Sequence, residues 1–409
     1  MERSKPFAGF LRVLRNRNFA LLWGGQAISQ LGDAVFYIAL VWLVVELTGS
    51  ALAVGTMMIL TQVPRLVLQA VGGVIVDRYD RRKIMLLADL LRAMVVFIFA
   101  SLVLAQVVEL WHVYILAVIF GLVGAFFLPA QTAVIPLLVG KDELITANSL
   151  NSMTLQANNI IGPALGGVLI SLPGVGVGGV SLFNALSFAT GALGIWLIRL
   201  PAQEREGAGG SFWGALIGGL HYLRSYPVIL TLAGLAALLN FAAAPIMVLM
   251  PLFAKEVLEV GVRGFGFMEA GVGAGLLTGS LVIGAIGKVR RRGPYILGLC
   301  TVDGLLLALF ATARSLQVAI GVLFAFGVIN SMINVVLMAL LQEMVADEFR
   351  GRVFSLLMLL SGGLQPISMG LAGGLADLFG LVPVILACGL GVALIATGGF
   401  LLREMRRLD

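Results

Sequence analysis

Apolar runs of about 20 residues recur from one end of this chain to the other, each long enough as a helix to cross a hydrocarbon core of about 30 Å. The 409 residues are 60% hydrophobic and only 12% charged, more apolar than a water-facing surface allows. In hydrocarbon, backbone N–H and C=O groups must be satisfied within the segment, so such runs fold as helices. The expected fold class is therefore an all-α membrane protein with many spans. Met1 to Asn18 carries Arg3, Lys5, Arg12, Arg15 and Arg17 without an apolar core or a small-residue cleavage site, unlike a cleaved leader.

The runs place twelve spans at 19–46, 51–76, 84–107, 111–139, 146–172, 178–199, 228–252, 264–287, 294–313, 316–341, 352–376 and 380–402. Basic residues crowd one set of loops, whereas the other set holds only Lys255, Arg263 and Arg314. Because basic loops stay inside, both termini are expected in the cytoplasm and the protein in the inner (cytoplasmic) cell membrane. The polar interval 201–227 divides the chain into an N-terminal six-helix half (1–200) and a C-terminal six-helix half (228–409). Within it, Ser211 to Tyr226 reads as an amphipathic helix lying on the membrane surface. The halves repeat: VDRYDRRK after span 2 is answered by GKVRRRG after span 8, and VGKDELITANSL before span 5 by VADEFRGRVFSL before span 11. Parallel six-span repeats enclose a cavity between them, with substrate near the bilayer midplane.

Charge inside a span is costly, about 2.5–3.5 kcal/mol per residue at the helix centre on insertion scales, and so marks function or a partner. Asp33 lies about 21 Å along span 1 and Arg65 about 18 Å along span 2 from the same side, at 1.5 Å per residue. These two are read as a pair, either a permanent ion pair or a carboxylate that takes a proton when Arg65 moves away. Asp303 on span 9 is a second proton-coupling candidate; Asp89 and Arg92, three apart on span 3, read as a structural pair. Gln26, Gln30, Phe36, Tyr37, Gln62, Asn158, Asn240 and Asn334 are the candidates for lining a substrate cavity.

Small residues mark close helix contacts. Gly162, Pro163, Gly166 and Gly167 on span 5, with the glycines of span 8, suggest a seam between those spans; span 11 glycines offer span 2 the same approach. In DRYDRRK (77–83) every residue but Tyr79 is charged. The bases fix orientation, which leaves Asp77 unexplained. It is expected to meet the positive N-terminal end of span 11, near Arg350 and Arg352, and to latch the cytoplasmic side with Gly73 allowing close approach.

These residues resemble the major facilitator superfamily. Gly73-Val-Ile-Val-Asp77-Arg78-Tyr-Asp-Arg81-Arg82 is similar to its GxxxDRxxRR loop motif, and Gly162-Pro163-Ala-Leu-Gly166-Gly167 to the span 5 motif of its drug antiporters. The span 4 arginine of the family is missing. RNRNFALLWGGQAISQLGDAVFYIALVWLVVELTGS, FLPAQTAVIPLLVGKDELITANSLNS and VADEFRGRVFSL resemble the branch containing macrolide-efflux proteins and the enterobactin exporter. The resemblance implies export by alternating access, as a proton antiporter.

The function expected is thus secondary active export of amphipathic small molecules of drug or siderophore type, with protons and the lipid bilayer as further partners. A lysophospholipid flippase is the alternative within transport, and a non-transporting membrane sensor or scaffold the alternative outside it. No enzyme activity, nucleic acid, cofactor or metal is expected, and the chain is expected to act as a monomer. No GxxxxGK[ST] loop occurs for ATP, and Cys300, Cys388, His112 and His221 are scattered rather than clustered as ligands.

Overall fold

The structure, a computed structural model, describes residues 6–200, 226–287, 289–346 and 350–408. The expected linker and its amphipathic helix fall almost wholly outside them. Secondary structure among the described residues is helical throughout. In chain order the helices are α1 (Pro6–Leu14), α2 (Arg17–Thr48), α3 (Ala51–Arg78), α4 (Arg81–Leu104), α5 (Leu110–Leu138), α6 (Leu144–Ser171) and α7 (Gly176–Leu197). There follow α8 (Pro227–Ala243), α9 (Ile246–Leu252), α10 (Gly261–Ile286), α11 (Arg292–Phe310), α12 (Leu316–Met344), α13 (Arg350–Gly362), α14 (Gln365–Phe379), α15 (Leu381–Gly399) and the short α16 (Arg403–Arg407).

Among the described residues, 11 helical segments are long and apolar enough to cross a membrane. The expected fifth span, α6, is not among them, although it is 28 residues long. Its first half, LITANSLNSMTLQANN, is too polar to meet the same standard. Two spans are broken. α8 gives way to α9 at Ala244–Pro245, where proline offers no N–H to the ladder. α13 gives way to α14 across Gly363, whose N–H still reaches the Leu359 carbonyl at 2.8 Å. The sharp turn between α14 and α15 sits on Gly380, whose φ of +88° lies where a side chain is unfavourable.

The chain forms two compact units, Met1–Leu47 with Leu60–Gly209, and Thr48–Ile59 with Gly210–Asp409. The polar interval is therefore not the whole of the division: the first residues of α3 go with the second unit and the rest with the first. In unit 1, Phe19, Leu22, Met85, Phe127 and Ile195 form a buried core. In unit 2, Ile229, Leu232, Leu297, Leu340 and Val353 do the same.

Glycines set the closest contacts within each unit. The α6 motif glycines face α2 in their own unit: a Cβ on Gly162 would collide with Ala34, and one on Gly166 would lie 2.9 Å from the Val35 carbonyl oxygen. The α10 glycines likewise face α12, where a Cβ on Gly279 would meet Val328 and Ser331. Gly162 and Gly166, like Gly275 and Gly279, thus each meet a neighbouring helix of their own unit. The expected approach of spans 2 and 11 is present. A Cβ on Gly55 would lie 2.9 Å from the Met369 oxygen, and one on Gly373 2.7 Å from that of Ala51. At the same place Asp377 caps α3, accepting from Ala51 N at 2.9 Å and from Ser50 Oγ at 2.6 Å.

Candidate functional site

The buried polar residues of unit 1 converge where α2, α4 and α7 meet. α4 begins with Asp80 as its cap, accepting from Arg82 N at 2.9 Å and Lys83 N at 3.3 Å. That registers the helix so that Asp89 and Arg92 turn inward. Asp89 is 0% exposed and Arg92 9%. Asp89 Oδ2 accepts from Gln26 Nε2 of α2 at 3.0 Å. Its Oδ1 faces Arg92 Nη1 at 3.6 Å and makes no hydrogen bond among the described residues. The Arg92 guanidinium is flanked by Phe127 of α5, 4.6 Å from the ring centre, and by Phe188 of α7 at 5.6 Å. Rings on both sides hold a cation in an otherwise apolar setting.

Asp33 joins this cluster from the next turns of α2. Asn184 Nδ2 of α7 donates to its Oδ1 at 3.4 Å. Glycine makes the junction possible. A Cβ on Gly191 would lie 2.8 Å from Asp89 Oδ2, and one on Gly32 would lie 2.6 Å from Asn184 Oδ1.

The expected pair of Asp33 and Arg65 does not form. Arg65 is exposed and, among the described residues, has no ion pair. It lies along Gly124 of α5, whose Cβ position is 3.8 Å from Arg65 Cδ and 3.9 Å from Arg92 Nη2. Depth along two consecutive helices does not fix a partner; helix rotation does, and it set Asn184 of α7 against Asp33. Read only as an i, i+3 pair near a helix end, Asp89 and Arg92 gave no sign of being central. The signal was their shared face with Ala88 and Met85, which are buried with them.

Several cavity candidates are core residues instead. Phe36 is enclosed by Phe99 and Phe120, with ring centres 6.0 and 6.1 Å away. Gln26 is spent on Asp89. Asn158 is 8% exposed and donates to the Ala27 carbonyl at 3.2 Å. Gln30, Tyr37 and Gln62 are half-buried, and Gln30 Oε1 has no hydrogen bond among the described residues. In unit 2, Asn240 accepts from Gln365 Nε2 at 3.0 Å, and Asn334 is exposed. Asp303 is 5% exposed, and no ion pair reaches it among the described residues.

The side chains of Gly73, Asp77, Arg350 and Arg352 lie outside the described residues, so the expected latch is not placed. Arg78 is exposed. Arg81 Nη1 donates to the Ala133 carbonyl of α5 at 3.3 Å, and Arg82 Nε to the Ile195 carbonyl of α7 at 3.0 Å. Arg82 also reaches the Trp196 carbonyl. Arg82 thus satisfies carbonyls at the negative end of α7 and Arg81 one near the end of α5, ties within unit 1.

The description transmembrane secretion effector matches residues 8–409. The chain belongs to that family of the major facilitator superfamily. Its relatives are efflux transporters, not enzymes. Macrolide efflux protein A of Streptococcus pyogenes is 27% identical over 404 residues, covering 96% of this chain and 97% of that one. The multidrug efflux pump Tap of Mycolicibacterium fortuitum is 28% identical, covering 96% of each. The enterobactin exporter of Shigella boydii is 29% identical over 376 residues, covering 90% of this chain and 84% of that one. Among solved structures, a bacterial homolog of the human lysosomal transporter Spinster superposes with a TM-score of 0.74 at 14% identity, over 96% of this chain and 98% of that one. A bacterial homologue of the iron transporter ferroportin gives 0.71 at 18%, over 94% and 98%. Both show the fold.

Proposed function

We propose that this protein is a secondary active exporter of amphipathic small molecules, working by alternating access as a proton antiporter. In this reading α6 is the twelfth span, both termini are cytoplasmic, and the protein acts as a monomer in the inner cell membrane. The observation that carries the coupling is the enclosed cluster of Asp33, Asp89 and Arg92. Asp89 faces the Arg92 guanidinium and Asp33 lies nearby on Asn184, so the cluster holds two carboxylates to one cation and its charge depends on whether a proton is bound. An ionisable cluster in the interior of a helix bundle is expensive unless it is used. Asp33 is the proton carrier because it alone of the three is half-exposed, while Asp89 holds Arg92 in place.

The names of the relatives, macrolide, multidrug and enterobactin, support a cargo with a large apolar body and polar groups. The test uses protein reconstituted in liposomes with and without an imposed pH gradient, offered a macrolide, enterobactin or a lysophospholipid. Gradient-driven accumulation of the first two is expected. Transport of the lysophospholipid alone would replace this reading with a flippase. No pH dependence for any cargo would sink antiport, and no transport of any kind would leave a sensor or scaffold.

A further inference from the structure

We propose that unit 2 carries a two-part binding site for an uncharged amphiphile: an apolar pocket between α8, α12 and α13, continued by amide side chains one helical turn further along the same helices. The proposal deepens the export reading by naming the chemistry of its cargo site, and it rests on that reading for its purpose. The pocket has a free volume of about 60 Å³, and its walls include Leu232, Ala236, Leu341, Phe354, Leu357 and Met358. That space takes a segment of an alkyl chain rather than a whole drug-sized molecule. Among the described wall residues the one hydroxyl, Ser361 Oγ, already donates to the Leu357 carbonyl at 2.7 Å. The wall therefore offers an apolar surface only. Met338 and Met358 at its mouth are 40% and 68% exposed, and their flexible side chains fit apolar bodies of varied shape.

Each of the three walls becomes polar at its next turn, in the same direction. On α8, Ala236 is followed by Asn240. On α12, which runs the opposite way, Leu337 and Met338 are preceded by Asn334 and then Asn330. Ser361 is followed across the break in the helix by Gln365. Asn240 and Gln365 bond to each other at 3.0 Å, and Asn334 Nδ2 bonds to Asn330 Oδ1 at 3.0 Å. Those bonds leave the Gln365 carbonyl oxygen and the Asn330 amide nitrogen without partners among the described residues. Asn334 is exposed in the middle of a 29-residue apolar helix, a position suited to a polar cavity rather than to lipid. Among the described residues, no charged side chain lines the pocket or belongs to the amide group. The polar end recognised is thus an uncharged donor and acceptor such as a hydroxyl, amide or ester.

The test is photolabelling of the full protein in lipid nanodiscs with a monoacylglycerol that carries a diazirine in its chain, followed by mass mapping of the adducts. Adducts are expected to concentrate on Leu337–Leu341 and on residues 354–358, and unlabelled monoacylglycerol should compete them away. Filling the pocket with Ala236→Phe should lower them about tenfold, the effect of losing a buried apolar contact surface. If that variant does not fold, Met338→Phe at the exposed mouth takes its place. Replacing Asn240 and Gln365 together by Leu should weaken labelling severalfold while the unfolding temperature holds. Adducts no denser than on the exposed Leu394 of α15, no competition, or no effect of a filling variant would each overturn the proposal. Competed labelling with no cargo moved in liposomes would remove the export reading and leave the site standing. Transport without competed labelling would do the reverse.

Discussion

The third and sixth long helices pair in both units, α4 with α7 in unit 1 and α11 with α15 in unit 2, yet the two seams are built from different chemistry. The first is filled by side chains: Asp89, Arg92, Gln26 and Asn184, boxed by aromatic rings. The second is closed by backbone. A Cβ on Gly389 would lie 2.8 Å from both Ala308 Cα and the Gly304 oxygen, so the helix backbones are in direct contact. Asp303 stands beside this contact without an ion pair among the described residues. The first seam thus packs an acid and a base among rings, whereas in the second a buried carboxylate, Asp303, lies beside a backbone contact. A seam of the second kind is stiff because it has no side chains to rearrange. If export requires one unit to respond to protons, the asymmetry places that response in unit 1.

The largest effect that tests this contrast is steric. Gly389→Leu should abolish folding, reducing monodisperse protein on size-exclusion chromatography by about tenfold or more, since overpacked helix contacts of this kind cannot relax. Recovery of normal yield would show that the second seam is loose after all. Next comes Arg92→Met, which leaves Asp89 buried without its cation. The expected cost is about 3–5 kcal/mol, read as a fall in thermal midpoint, and most of it should return in the double variant with Asp89→Leu. A cost that does not return on removing Asp89 would mean that Arg92 acts through its rings rather than through charge.

Asp33→Asn separates chemistry from stability. Gradient-driven transport should fall about tenfold or more, while the thermal midpoint moves little, because the amide keeps shape and hydrogen-bonding capacity. Full gradient-driven transport in this variant would rule out Asp33 as the main proton site. Smallest of all is Asp303→Asn, expected to change stability by less than about 1 kcal/mol and to leave pH dependence intact, because no ion pair is lost. Loss of pH-driven transport in Asp303→Asn, with Asp33→Asn unaffected, would invert the comparison between the units.

The spans were legible because their signal is long and local. The expected 84–107 and 111–139 lie within a few residues of Arg81–Leu104 and Leu110–Leu138. Breaks inside spans were less so. Pro245 and Gly363 are common enough in membrane helices that neither alone announces an interruption. The site was half legible. Asp33 stood out by depth, and it does lie in the polar cluster, but its neighbour Arg92 was hidden by proximity to a helix end. The family's span 5 glycines were visible as a contact surface, whereas their partner was not, since a small residue says that something comes close without saying what.

Composition and run length alone determined that this chain is a bundle of membrane helices, because hydrocarbon leaves a backbone no other way to satisfy its hydrogen bonds. The motifs, which are short and contiguous, determined the family. Tertiary structure decided which face of each helix meets which neighbour. It put Asn184 rather than Arg65 against Asp33, buried Phe36 among rings, and set Asn240 beside Gln365 above an apolar pocket. The physical reason is rotation: a residue's depth follows from counting along a helix, but its azimuth depends on every contact that helix makes.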